Sequence, residues 1–187
     1  MNNTTDCSVK EGSPMMRVLR NLALGREGSQ LVELAFVLPL LAVMIVGIFD
    51  FGEAYNLKQK LNNTAREAAR FAAGQNSASS LNDTDVAAIP QVVNSYLQSA
   101  GLTQCTFGAP TKATFIYTSS ATGTGCGTAS LVIDREFLIT TGTAGTKVTL
   151  VYPFTWRVGN VMKLLLPGST LTLPTTLSTD AIMQNIN

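Results

Sequence analysis

Residues 28 to 51 read GSQLVELAFVLPLLAVMIVGIFDF, and this stretch decides the fold. No charge interrupts it from Leu34 to Phe49, and with Leu31 and Val32 it approaches the ~20 residues that cross a bilayer as a helix. The run therefore predicts a membrane segment. Glu33 sits near its edge. A carboxylate at the centre of a membrane helix costs roughly 2.5–3.5 kcal/mol on insertion scales, so an intramembrane acid is by default functional and partnered. The alternative for Glu33 is a seat in the headgroup layer.

A short hydrophilic leader with Lys10, Arg17, Arg20 and Arg26 ends in Gly28, and counting from Ser29 makes Glu33 the fifth residue. This spacing resembles the class III signal of type IV prepilins. The likeness extends through LVELAFVLPLLAVMIVGIFDFGEAYNLKQKLNNTAREAARFAAG, which is similar to the N-terminal signature of TadE-like minor pilins of tight-adherence pili. Glu33, Pro39, Leu40, Leu41, Asp50, Phe51, Gly52 and the Ala65-Arg66-Glu67-Ala68-Ala69-Arg70 block carry it. The resemblance implies cleavage between Gly28 and Ser29 by a membrane prepilin peptidase on the cytoplasmic side. It also implies inner-membrane platform proteins and other major and minor pilins as partners. Ser29 stands where type IVa pilins usually have phenylalanine, a departure that bears on N-methylation more than on cleavage. Once the leader is removed, the Ser29 α-amino group is positive, and Glu33 of a neighbouring subunit could neutralise it as both enter an apolar fibre core.

Other readings of the N-terminus fit less well. A conventional secretory signal would place a small-residue cleavage site just after the apolar run, yet Asp50-Phe51-Gly52-Glu53-Ala54-Tyr55 follows and a helical pattern continues. A lipoprotein would need its cysteine directly after the run, whereas Cys7 lies well before it. Arg17, Arg20 and Arg26 favour a cytoplasmic N-terminus, because Lys and Arg near the membrane set orientation. Lys58 and Lys60 on the other side weaken that bias.

The chain has 187 residues, enough for one membrane helix and one small soluble domain. Its formal charge is +1, so no field exists to attract nucleic acid. Histidine is absent, which removes the commonest general base and metal ligand together.

Past the apolar run, Ala54, Leu57, Leu61, Ala65, Ala68 and Ala72 recur at spacings of three and four, which puts them on one helical stripe. Gly74 suits a C-cap. The pattern predicts one helix from Ser29 to Ala73, roughly 65 Å at 1.5 Å per residue. Pro39 removes a backbone donor to Ala35, so a kink or a melted turn is expected from Ala35 to Pro39, with simple tolerance the alternative.

The region from Ser77 reads as a compact α+β domain. Thr84 is a candidate N-cap, and Val86, Ile89, Val93, Leu97 and Ala100 form a short amphipathic helix ended by Gly101, with Pro90 at its true beginning or at a kink. β-like runs follow at Lys112 to Tyr117, Ala129 to Thr140, Lys147 to Trp156 and Ser169 to Leu177. They suit an antiparallel meander packed on both helices, with Pro153 at a bulge or sheet edge. Val161 to Leu166 is an apolar loop or helical turn, and an exposed VMKLLL patch would suit a membrane-near or subunit-facing surface. Cys105 and Cys126 lie in loop-like sequence of a domain expected outside the cytoplasm, so they predict one disulfide, two separate thiols being the alternative.

No catalytic residues, cofactor or metal site can be assembled from the sequence. It has no Ser-His-Asp set, no Walker loop and no metal-spaced cluster of His and Cys. Asp134 and Glu136, flanking Arg135, read as the solvated face of a strand, and the Thr/Gly/Ser stretches at 118–130 and 139–146 as surface loops. The fold class expected is α+β: a long N-terminal helix, transmembrane then amphipathic, on a small antiparallel sheet domain with one short helix. The expected divisions are a leader at 1–28, a transmembrane half at 29–50, an amphipathic half at 51–75 and an extracytoplasmic domain at 76–187. The function expected is that of a non-enzymatic minor pilin or pseudopilin in the bacterial inner membrane, in contact with lipid and able to enter a surface pilus. The alternatives are an unprocessed single-pass protein with an adhesion or structural domain, and a bitopic enzyme or sensor.

Overall fold

A computed structural model describes residues 26–75, 83–165, 168 and 172–185. Lys10, Arg17, Arg20 and Cys7 of the leader lie outside the described residues, as does the side chain of Thr84. The chain divides into two compact units, Met1–Ile45 and Val46–Asn187. Helix α1 (Arg26–Ala73) runs through the point of division.

In the first unit every described residue is helical. α1 keeps helical conformation through Pro39, so the turn from Ala35 to Pro39 is not melted. Its apolar side chains stand in the open, with Leu31 68% and Phe36 79% exposed. An apolar surface of this extent needs a non-aqueous neighbour.

The second unit is a two-layer α+β domain. Its helical layer is the remainder of α1 with α2 (Asp83–Ser99). The other layer is an antiparallel sheet of β1 (Thr106–Phe107), β2 (Thr111–Ala113), β3 (Ile116–Thr122), β4 (Ser130–Thr140), β5 (Thr143–Pro153) and β6 (Thr176–Gln184). The strand order is β1-β3-β4-β5-β6, with β2 also paired to β3. Period-two alternation turns Tyr117, Leu131, Ile133, Val148, Leu150 and Ala181 inward. They meet the α1 stripe of Ala54, Leu57, Leu61, Ala65, Ala68 and Ala72, and Val86, Ile89, Val93 and Leu97 from α2, in one core. The stripe predicted from spacing is thus the buried face of the helix. Alanine at four of its six positions keeps α1 low enough for close packing.

Several boundaries differ from the sequence reading. The run from Lys112 to Tyr117 is two strands joined at Thr114, whose φ is 60°. Residues 118–122 of the first supposed loop extend β3, because Thr and Ser suit a half-buried pleat. The second supposed loop is a tight hairpin: Thr140 pairs with Thr143, and Gly142 supplies a φ of 87°. Pro90 lies inside α2 rather than at its start. β6 begins at Thr176 after residues 172–175, which are not strand, and pairs with β5 from Gly145 to Pro153, while Ser169 lies outside the described residues. Pro153 ends β5, where its missing donor disturbs no further rung.

Arg135 also departs from expectation. The alternation that turns Leu131 and Ile133 inward continues to Arg135, which is fully buried at the bulge between Asp134 and Phe137. Its guanidinium donates to the carbonyl of Ala72 and, at 3.5 Å, to that of Gln75. It adds a second donor to the Ala72 carbonyl, which already accepts the Gln75 amide, and reaches the Gln75 carbonyl just past the end of α1. Asn185 holds the bulge from outside: its Nδ2 donates to the Arg135 carbonyl at 3.1 Å, and Thr146 Oγ1 donates to its Oδ1 at 2.6 Å. At the other end of the sheet, Asn94 of α2 pairs with both the amide and the carbonyl of Phe107, at 2.8 and 2.9 Å, fastening β1 to the helical layer.

Candidate membrane and assembly site

Gly28 and Ser29 fall in the first turn of α1, where backbone amides have no intrahelical acceptor. Gly28 is half-buried, and Ser29 and Glu33 are exposed. Pro39 is half-buried among exposed apolar neighbours. These residues share one helix, and Glu33 is a little over one turn from Ser29. Among the described residues this is one helix long and apolar enough to cross a membrane, and none of its most apolar window is buried.

The sequence left the Asp-Phe-Gly block that closes the apolar run without a physical role. Asp50 is 1% exposed, and its carboxylate accepts the backbone amide of Val158 at 2.6 Å. Val158 opens a short helix, α3 (Val158–Leu165). A carboxylate there satisfies an orphan amide and complements the positive end of the helix dipole. One turn on, Glu53 takes Arg157 in a forked pair at 2.6 and 3.4 Å. Phe51 meets the edge of Trp156 at 5.4 Å between centroids, and Phe154 stacks edge-on to the same indole at 4.9 Å. Trp156 Nε1 donates to the carbonyl of Pro174 at 2.7 Å. Three consecutive residues, Trp156, Arg157 and Val158, are therefore fastened to Phe51, Glu53 and Asp50. The partners are about a hundred residues apart in sequence, and no local pattern announces such a pairing. The only available signal was an acid placed directly after an apolar run.

The Ala-Arg-Glu block has an equally plain basis. Ala65, Ala68 and Ala69 are fully buried, while Glu67 and Arg70 pair on the outer face of the helix. Arg70 holds the Glu67 carboxyl below its ordinary range, first through the hydrogen bond and then through its charge. Elsewhere in the domain, Cys105 and Cys126 lie at disulfide distance, with sulfurs 1.93 Å and Cα atoms 5.6 Å apart. Gly123, beside them with a φ of 135°, has no room for a Cβ against the Gln104 carbonyl. Trp156 and Tyr152 are packing residues of the core and its edge.

An open groove of about 870 Å³ runs along α1, lined among others by Ile48, Gly52, Asn56, Tyr152 and Arg157. Among the described residues no group of three His, Cys, Asp or Glu could hold a metal ion. Within the domain, residues 50–53 of α1 are pinned to residues 156–158.

The second unit is thus an α+β domain whose own stretch of α1 is held by a collar of contacts from Asp50, Phe51 and Glu53 to residues 156–158, and the first unit is an uncovered apolar helix. Residues 28–70 match the family model described as TadE-like protein. No curated protein and no solved structure gives a significant match. The family match and the apolar helix fit a membrane-anchored, pilus-related protein.

Proposed function

We propose that this chain is a minor pilin or pseudopilin that takes part in assembling a tight-adherence, type IV-like pilus through α1. The observation that carries the reading is the uncovered apolar half of α1 within a segment that matches the TadE-like family. In this reading the chain enters the inner membrane with its N-terminus in the cytoplasm and its α+β domain outside. A prepilin peptidase cuts after Gly28, a bond in the first turn of α1, where a helix frays most readily. The apolar run then leaves lipid for contact with other major and minor pilins, guided by assembly platform proteins. Pro39 is the point at which α1 bends or loosens on packing. The role is structural, with no reaction catalysed.

Glu33 serves assembly rather than cleavage. It is exposed on the apolar helix, and a carboxylate entering a fibre core needs a cation there. The α-amino group of Ser29 in a neighbouring subunit supplies one. The test is Glu33→Gln, which keeps the shape and removes the charge. Processing should be unchanged while the amount of tagged protein in sheared pili, or the piliation it supports, falls sharply. Wild-type incorporation and piliation by this variant would refute the charge pair.

A further inference from the structure

We infer that α3 is an interfacial helix, lying in the boundary between headgroups and acyl chains of the same bilayer that the apolar run of α1 occupies. This rests on reading that run as a membrane segment. α3 has no buried residue among its eight. Isolated helices of that length are marginal in water, so the surroundings must favour it. Val158, Val161, Met162 and Leu165 recur at spacings of three and four, and Leu164 beside them is 81% exposed. Val158, Val161 and Met162 are half-buried, so Leu164 and Leu165, at 81% and 38%, are the apolar side chains that stand exposed, together with Lys163 and Asn160. The segment is the apolar, weakly basic kind that settles at a lipid surface, its lysine reaching out to anionic headgroups.

Its depth is set by the collar. The last turn of the apolar run belongs to the same compact unit as α3, with Ile48 and Phe49 68% and 70% exposed. Asp50 is the first charge after that run, so the hydrocarbon ends near it. The Asp50 carboxylate holds the first amide of α3, and Glu53 holds Arg157 just before it. α3 therefore starts at the level where the bilayer gives way to water. Trp156 lies at the same level, against Phe51, and an aromatic side chain with one polar edge favours that layer. Lipid, rather than a second protein, is the occupant that the end of an apolar helix already supplies on this side of the domain.

Site-directed spin labelling of the full chain tests this. In a Cys7→Ser background with the Cys105–Cys126 pair intact, Leu164→Cys, Thr140→Cys and Phe36→Cys are labelled singly. Each is reconstituted at low protein density in phosphatidylethanolamine/phosphatidylglycerol vesicles. Collision with oxygen is compared with collision with a water-soluble nickel chelate. The label at 164 should favour oxygen several-fold more than the label at 140, which lies at the opposite end of β5 beside the hairpin. It should also lie shallower than the label at 36. Nickel access at 164 equal to that at 140, with 36 deep in lipid, overturns the proposal alone. A label at 164 shielded from both reagents also overturns it, because a protein surface then covers α3. Water access at 36 overturns the membrane reading beneath it, and the proposal with it.

Discussion

Asp50 and Arg135 are charged side chains that the fold buries almost completely, at 1% and 0% exposure, and each does the same chemical work. Both bind backbone groups at a helix end: Asp50 the first amide of α3, Arg135 the Ala72 carbonyl in the last turn of α1. Asp50→Ala should remove an N-cap and lower stability by about 1 kcal/mol, read as an earlier unfolding midpoint in detergent. Arg135→Met keeps much of the volume and removes charge-assisted bonds to buried carbonyls. It should cost about 2–3 kcal/mol by the same measurement, and an unchanged midpoint would show that the guanidinium carries no such role. Neither part was legible in the sequence. Arg135 shares the inner face of β4 with Leu131 and Ile133 by simple alternation, but its charge, between Asp134 and Glu136, reads as solvated, and the carbonyl that it meets lies 63 residues away in α1. Glu33 stood out because its context is local, an acid inside an apolar run.

At the scale of elements, periodicity served the helices well and the strand ends poorly. The α1 stripe from Ala54 to Ala72 follows from a spacing repeated over many turns, which no single residue can disguise. β3 was cut short because its outer half, Thr118 to Thr122, is made of small polar residues that also suit loops. β6 was misplaced because its apolar positions are sparse and its existence depends on the exposed edge of β5. α3 is short enough that sequence alone could not separate a turn from a helix, and its N-cap comes from a residue 108 positions away. The cysteine pair was readable, since two cysteines in loop-like sequence leave one pairing. The double variant Cys105→Ser/Cys126→Ser opens a link between residues 21 apart and should cost roughly 3 kcal/mol. Thiol labelling of the unfolded, unreduced chain cut after Gly28 should find no free cysteine, and two reactive thiols would disprove the link.

For the molecule as a whole, the α+β architecture and the exposed apolar helix were both legible in the sequence, because hydrophobic patterning dictates each of them. The collar of contacts from Asp50, Phe51 and Glu53 to residues 156–158 was not, because it is tertiary. In the proposed function this helix begins life as a prepilin segment and is released from its leader. A glycine before the cut presents no side chain to the peptidase, whereas a β-branched residue fills the space beside the scissile bond. Intact-mass measurement of the membrane-extracted protein, co-produced with an active prepilin peptidase, tests this most directly. The expected result is a mature chain beginning at Ser29 for the wild type and an uncut chain for Gly28→Val. A full-length mass for the wild type beside active peptidase, or the same mature mass for both, would contradict it.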